Sequence, residues 1–164
     1  MKKYILILIT FIVANYIQAQ NSCIIQRSEA YYYEVLSGVN NDVISIDGNT
    51  TSAQIPTDLN ISIYLVSNCL QTPLISYSKI GKVKMKLEFL RVKFNKDKAG
   101  TDEHGNLKII KAREGSFLWK ANWAVSNETA YAAQNKIIIK GTMGRKKFTA
   151  FIPSIKKLQP LPLY

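Results

Sequence analysis

Between residues 82 and 94 the chain reads KVKMKLEFLRVKF, and its side chains change character at every second position. A period of two belongs to an extended strand with one dry and one wet face, and no helix can carry it. Val83, Met85, Leu87 and Phe89 share one face, and Lys82, Lys84, Lys86 and Glu88 share the other. The phase then flips, so that Leu90, Val92 and Phe94 become the apolar set against Arg91 and Lys93. A two-residue period cannot change phase without an extra residue. A bulge, a sharp bend or a crossing between sheets is therefore expected at Phe89-Leu90.

The same period recurs along the chain. Segments 60–66, 75–80, 107–113, 117–125, 136–140 and 147–152 all read as extended, with a shorter candidate at 43–46 closed by Asp47-Gly48-Asn49. Between them stand Lys98-Ala99-Gly100, His104-Gly105-Asn106, Glu114-Gly115 and Gly141-Thr142-Met143-Gly144, which have the composition of turns and connectors. Residues 27–37 fit a strand by their tyrosine run and a helix by Ser28 and Gly38 at the two ends. Residues 126–134 have a cap in Ser126 or Asn127 followed by alanines, the pattern of a short helix. Many short strands with few helices predict a mainly β fold, an antiparallel β-sandwich with a barrel as the other closure. Phe117, Trp119, Ala121, Trp123 and Val125 fall on one face of a strand, as a core face would, with Lys120 and Asn122 on the other. Ile137-Ile138-Ile139 is apolar on both faces and predicts a central strand.

The first nineteen residues carry Lys2 and Lys3, an apolar run from Ile5 to Ala14 and a small residue at Ala19. That is the layout of a bacterial secretory signal peptide, and the run is about half the roughly 20 residues needed to span a bilayer. The expectation is cleavage after Ala19, a single β-rich domain over residues 20–164, and a periplasmic or extracellular destination. Cys23 and Cys69 are the two cysteines of the chain. An even count in an exported chain predicts that they pair. Neither a CxxC spacing nor nearby histidines support a redox or metal role for them.

Charge is divided unevenly. Residues 20–78 hold one basic and five acidic side chains, a net of −4, whereas residues 79–164 hold 19 basic and 6 acidic, a net of +13. Such a balance favours anionic partners: a glycolipid, a polysaccharide or an acidic protein. Nucleic acid is the least supported, since export removes the usual target and no recognised binding motif is present. Candidate anion-binding residues are Lys82, Lys84 and Lys86 on the wet face of the alternating segment, and Arg145, Lys146 and Lys147 at an expected hairpin end. The competing explanation is that these lysines merely solvate a sheet and discourage edge pairing.

Catalytic signatures are absent. His104 is the one histidine and sits in Thr101-Asp102-Glu103-His104-Gly105-Asn106, a stretch that a hairpin tip explains with fewer assumptions than a metal or acid–base site. No GxSxG, HExxH, GxxxxGK or EF-hand spacing occurs. No cofactor is indicated. Three function classes follow: an exported non-enzymatic binding or structural domain with a basic face, a cell-envelope assembly subunit acting through protein contacts, and a small enzyme whose site has no familiar pattern.

Overall fold

The computed structural model describes residues 23–36, 57–125 and 136–161. The expected signal segment, the strand candidate at 43–46 and the helix candidate at 126–134 lie outside the described residues. The strands are β1 (Ile25–Leu36), β2 (Thr57–Ser67), β3 (Leu74–Ile80), β4 (Val83–Lys84), β5 (Leu90–Arg91), β6 (Lys96–Thr101), β7 (Leu107–Lys111), β8 (Phe117–Val125), β9 (Ile137–Met143), β10 (Lys146–Ile152) and β11 (Lys156–Lys157). A five-stranded sheet runs in the order β11-β1-β2-β8-β5, a four-stranded sheet in the order β10-β9-β3-β4, and β6 pairs with β7 alone. All pairings are antiparallel except β1 with β11. The sheets do not close into a barrel.

Alternation along β2 and β8 explains why two sheets face each other. The register Ile61↔Trp123, Ile63↔Ala121 and Leu65↔Trp119 puts these residues on one face of the five-stranded sheet. Opposite them, Ile80, Ile137, Ile139, Met143, Ala150 and Ile152 complete the main core. Trp119 is buried there, and its indole Nε1 donates to Ser67 Oγ at 2.9 Å, so its polar edge is satisfied. β9 is flanked by β10 and β3, which gives the Ile137-Ile138-Ile139 run the central position its composition predicts.

The outer face of the five-stranded sheet is not wet. Tyr31, Tyr64, Val66 and Leu118 point that way and form a second, smaller core with Ile110 of β7 and Leu158. The β6–β7 hairpin lies over them, which makes the fold three layers deep at this point. Residues 61–67 of β2 are consequently buried at every position.

Four sequence expectations need correction. Residues 141–143 are not a connector but the end of β9, paired on both sides. Residues 98–100 are not a connector but part of β6, where a register shift lies between Lys98 and Gly100. Gly100 has φ +145°, and a Cβ there would stand 2.6 Å from Gln159 O, so this position requires glycine. Residues 83–94 are not one strand. β4 belongs to the four-stranded sheet and β5 to the five-stranded sheet, so the phase flip at Phe89-Leu90 marks a crossing from one to the other. Leu87 and Phe89 are buried in the main core, whereas Leu90 and Phe94, expected to be apolar-face residues, are 67% and 97% exposed. The last backbone bond to β8 runs from Val92 N to Leu118 O at 2.9 Å, and the chain then turns through Phe94 and Asn95, both at positive φ, to start the hairpin. Residues 27–36 of the stretch that was readable either way in sequence belong to β1, and residue 37 lies outside the described residues.

Cys23 and Cys69 meet at disulfide distance with Cα atoms 5.4 Å apart. The pair ties the chain just before β1 to the loop between β2 and β3.

Candidate anion-binding face

The four-stranded sheet turns one face to the core and the other to solvent. Its inward residues are set by Ile80, Ile137, Ile139, Ala150 and Ile152, all buried, so their chain neighbours must point outward. Cross-strand pairs then assemble the outer face row by row. Phe151 pairs with Ile138, Ile138 with Lys79, and Lys79 with Lys84. Thr149 pairs with Lys140, and Lys140 with Tyr77. Lys147 pairs with Thr142, and Lys86 continues the outward side of the segment after β4. Four strands roughly 4.8 Å apart spread these ammonium groups across about 15 Å.

Two aromatic rings lie among the lysines. Lys140 Nζ stands 5.9 Å from the centroid of Tyr77, and Lys136 Nζ stands 5.7 Å from that of Phe151, whose ring is half-exposed. Both distances are within reach of a cation–π attraction, which holds the ammonium groups along the sheet without neutralising them. Glu88 is the acidic side chain nearest this set in sequence, at its margin beyond Lys86. Among the described residues, the ion pairs are Arg27–Glu29, Lys120–Asp97 and Lys157–Glu34, and His104 Nε2 stands 3.5 Å from Glu103 Oε1. None involves a lysine of this face.

The predicted candidates fall on this sheet but do not form one cluster. Lys82 lies in the β3–β4 turn and Arg145 in the β9–β10 turn. The pairs Ile80↔Ile137 and Leu74↔Thr142 place those turns at opposite ends of the sheet, roughly 20 Å apart at 3.3 Å per residue. Lys84, Lys86 and Lys147 share the outer face, while Lys146 stands exposed at the start of β10. Lys79, Lys136 and Lys140 join the face without having been singled out in the sequence. Their signal was present in the alternation of Ile138-Ile139-Lys140, but it needed the register between β3 and β9 to become a patch.

A different electrostatic arrangement lies across the molecule. Under the hairpin, Asp97 Oδ2 accepts from Tyr64 Oη at 2.7 Å and from Lys120 Nζ at 2.8 Å. Burial raises the Asp97 pKa, but the hydrogen bonds from Lys120 and Tyr64 more than offset this and hold the carboxyl below its ordinary value. Tyr31 Oη donates to Glu29 Oε2 at 2.5 Å, and Glu29 also pairs with Arg27 at 2.7 Å. Both phenols are pushed well above the ordinary tyrosine value, first by burial and then by donating to a carboxylate. Each acid here is already matched by its own partners. Lys120, read in the sequence as a wet-face residue, is half-buried as the counter-ion of Asp97.

His104 lines a hollow of about 710 Å³ with Tyr31, Asp102, Glu103, Lys108 and the strand at Lys156–Lys157. The acids beside it are its own chain neighbours, not carboxylates brought from distant strands. Asp102 accepts from His104 N, Asn106 N and Asn106 Nδ2 at 2.9, 2.8 and 3.1 Å, closing the hairpin tip. These bonds, that of the Asn106 side chain foremost, lower its pKa. Among the described residues no group of three or more His, Cys, Asp or Glu could hold a metal ion.

No family model, curated protein or solved structure matches the chain. Its chemistry must be read from its own surface. No helix among the described residues is long and apolar enough to cross a membrane.

Proposed function

We propose that the protein is an exported, non-enzymatic binding domain that uses the outer face of its four-stranded sheet to hold an anionic component of the cell envelope. Phosphate groups of a glycolipid or the acid groups of a polysaccharide are the chemistry that fits. The reading rests on one observation: Lys79, Lys84, Lys140 and Lys147 share a solvent-facing sheet surface, with exposed Lys86 just beyond the end of β4, and none has an ion-pair partner among the described residues. Solubility alone does not require charges of one sign to collect on one face, and a collected face raises the local concentration of anions. Export is supported by the layout of residues 1–19 and by the Cys23–Cys69 pair, which suits an oxidising compartment.

The purified protein is expected to bind heparin or a phosphate-rich matrix, and to sediment with vesicles rich in anionic lipid but not with neutral ones. Retention should fall steeply between low and physiological salt, because screening over about 8 Å weakens exposed charge pairs. Absence of binding at low salt, or binding indifferent to salt, would count against this function.

A further inference from the structure

Residues 86–89 are held by neither sheet. The last backbone bond to β3 is Met85 N to Ser78 O at 2.9 Å, and pairing resumes only at Leu90↔Lys120 on β8. Between these points, among the described residues, no backbone hydrogen bond joins 86–89 to another segment. The segment is nonetheless strand-like. Met85, Leu87 and Phe89 are buried while Lys86 and Glu88 are exposed, which is a strand's alternation. It prolongs β4, the last strand of its sheet, and so extends an open edge of the kind that accepts another strand.

The residues of the edge select its partner. If the segment pairs antiparallel with a second copy of itself, buried positions must face buried positions, so the two-fold axis passes through a residue and not between two. An axis at Met85 sets Lys84 against Lys86 twice. At Lys86 it sets two lysines face to face, and at Glu88 two glutamates. An axis at Leu87 gives Lys86 against Glu88 twice, Met85 against Phe89 twice, and no like-charge pair.

We propose that the protein forms a two-fold dimer by antiparallel pairing of segment 85–89 about Leu87, with Lys86 of each copy opposite Glu88 of the other. The lysines of this stretch then choose the register in addition to guarding the edge. Neighbouring antiparallel strands present the same face, so the dimer brings the two basic sheets side by side on one surface.

Sedimentation velocity of the purified protein over a range of concentrations tests this without any anionic ligand. The parent is expected to be a dimer. Glu88→Lys converts both opposite-charge pairs to like-charge pairs and should weaken dimerisation by about tenfold. Adding Lys86→Glu to that variant recreates both pairs with the signs exchanged and should restore the dimer. Both side chains are exposed, so the fold should be unaffected, as circular dichroism would verify. A parent that stays monomeric up to its solubility limit would overturn the proposal. So would a dimer that Glu88→Lys leaves intact, or one that the double exchange fails to restore.

Discussion

Asp97 and Trp119 show how single side chains fasten the layers. Asp97 Oδ2 receives both Tyr64 Oη and Lys120 Nζ, so it joins the hairpin to two strands of the sheet beneath. Asp97→Asn removes the charge from both bonds and should destabilise the protein by about 1–3 kcal/mol at neutral pH. Because the folded pKa of Asp97 lies below its ordinary value, its contribution is complete above the unfolded value and is lost as pH falls through the folded one. Denaturant titrations of parent and variant should therefore converge in acid, and a gap that persists there would refute this role. Trp119 carries a larger share of the main core: Trp119→Ala leaves a cavity and removes the indole donor from Ser67 Oγ, which keeps its own bond to Cys69 O, at a cost of roughly 3–5 kcal/mol. Near-parent stability in the same titration would mean that the ring does not sit in the core. Trp119 was legible because large aromatics alternate with Ala121 and Val125. The role of Lys120 was not, since a lysine between the inward positions Trp119 and Ala121 reads as solvated until a hairpin from elsewhere covers it.

Among the elements, the β6–β7 hairpin was the hardest to foresee. Lys98-Ala99-Gly100 has the composition of a turn, yet Gly100 serves close packing within a strand, beneath the Gln159 carbonyl. Thr101 and Gln159 exchange backbone hydrogen bonds at 3.0 and 2.8 Å beside it. Gly100→Ala must displace that strand of contacts and adopt a φ that alanine avoids, at a cost of about 1–3 kcal/mol. Hydrogen exchange should show the loss first at Thr101 and Gln159; unchanged protection at both amides would contradict the assignment. The opposite case is the 83–94 segment, whose change of phase already told that the chain must bend or cross. What sequence could not show was that Leu90 and Phe94 stay exposed after the crossing, because Leu90 pairs with Lys120 on the edge strand with its side chain away from the main core and Phe94 falls in the turn into the hairpin. The Cys23–Cys69 pair anchors the entry to β1. Thiol labelling of the denatured, unreduced protein should find no free sulfhydryl, and two reactive thiols per chain would disprove the link.

Taken together, the layers sort the charges by environment. Glu29, Glu34 and Asp97 lie on the side of the five-stranded sheet and its hairpin, each with a basic partner within 2.8 Å. The four strands of the other sheet carry lysines and no carboxylate, whereas the hairpin mixes Lys96, Lys98 and Lys111 with Asp97, Asp102 and Glu103. Sequence revealed the surplus and its position in the second half of the chain. It could not reveal the sorting, because Lys79, Lys84 and Lys140 come from three strands and become neighbours only through pairing. A net positive charge would by itself promote weak binding to any polyanion, so location and not total charge must be tested. The measurement is salt-dependent retention on heparin of two triple variants that lose the same charge, Lys79/Lys84/Lys140→Gln on the four-stranded sheet and Lys93/Lys96/Lys111→Gln near the hairpin. The first should elute at clearly lower salt than the parent while the second elutes close to it; equal losses in both would contradict a dedicated binding face.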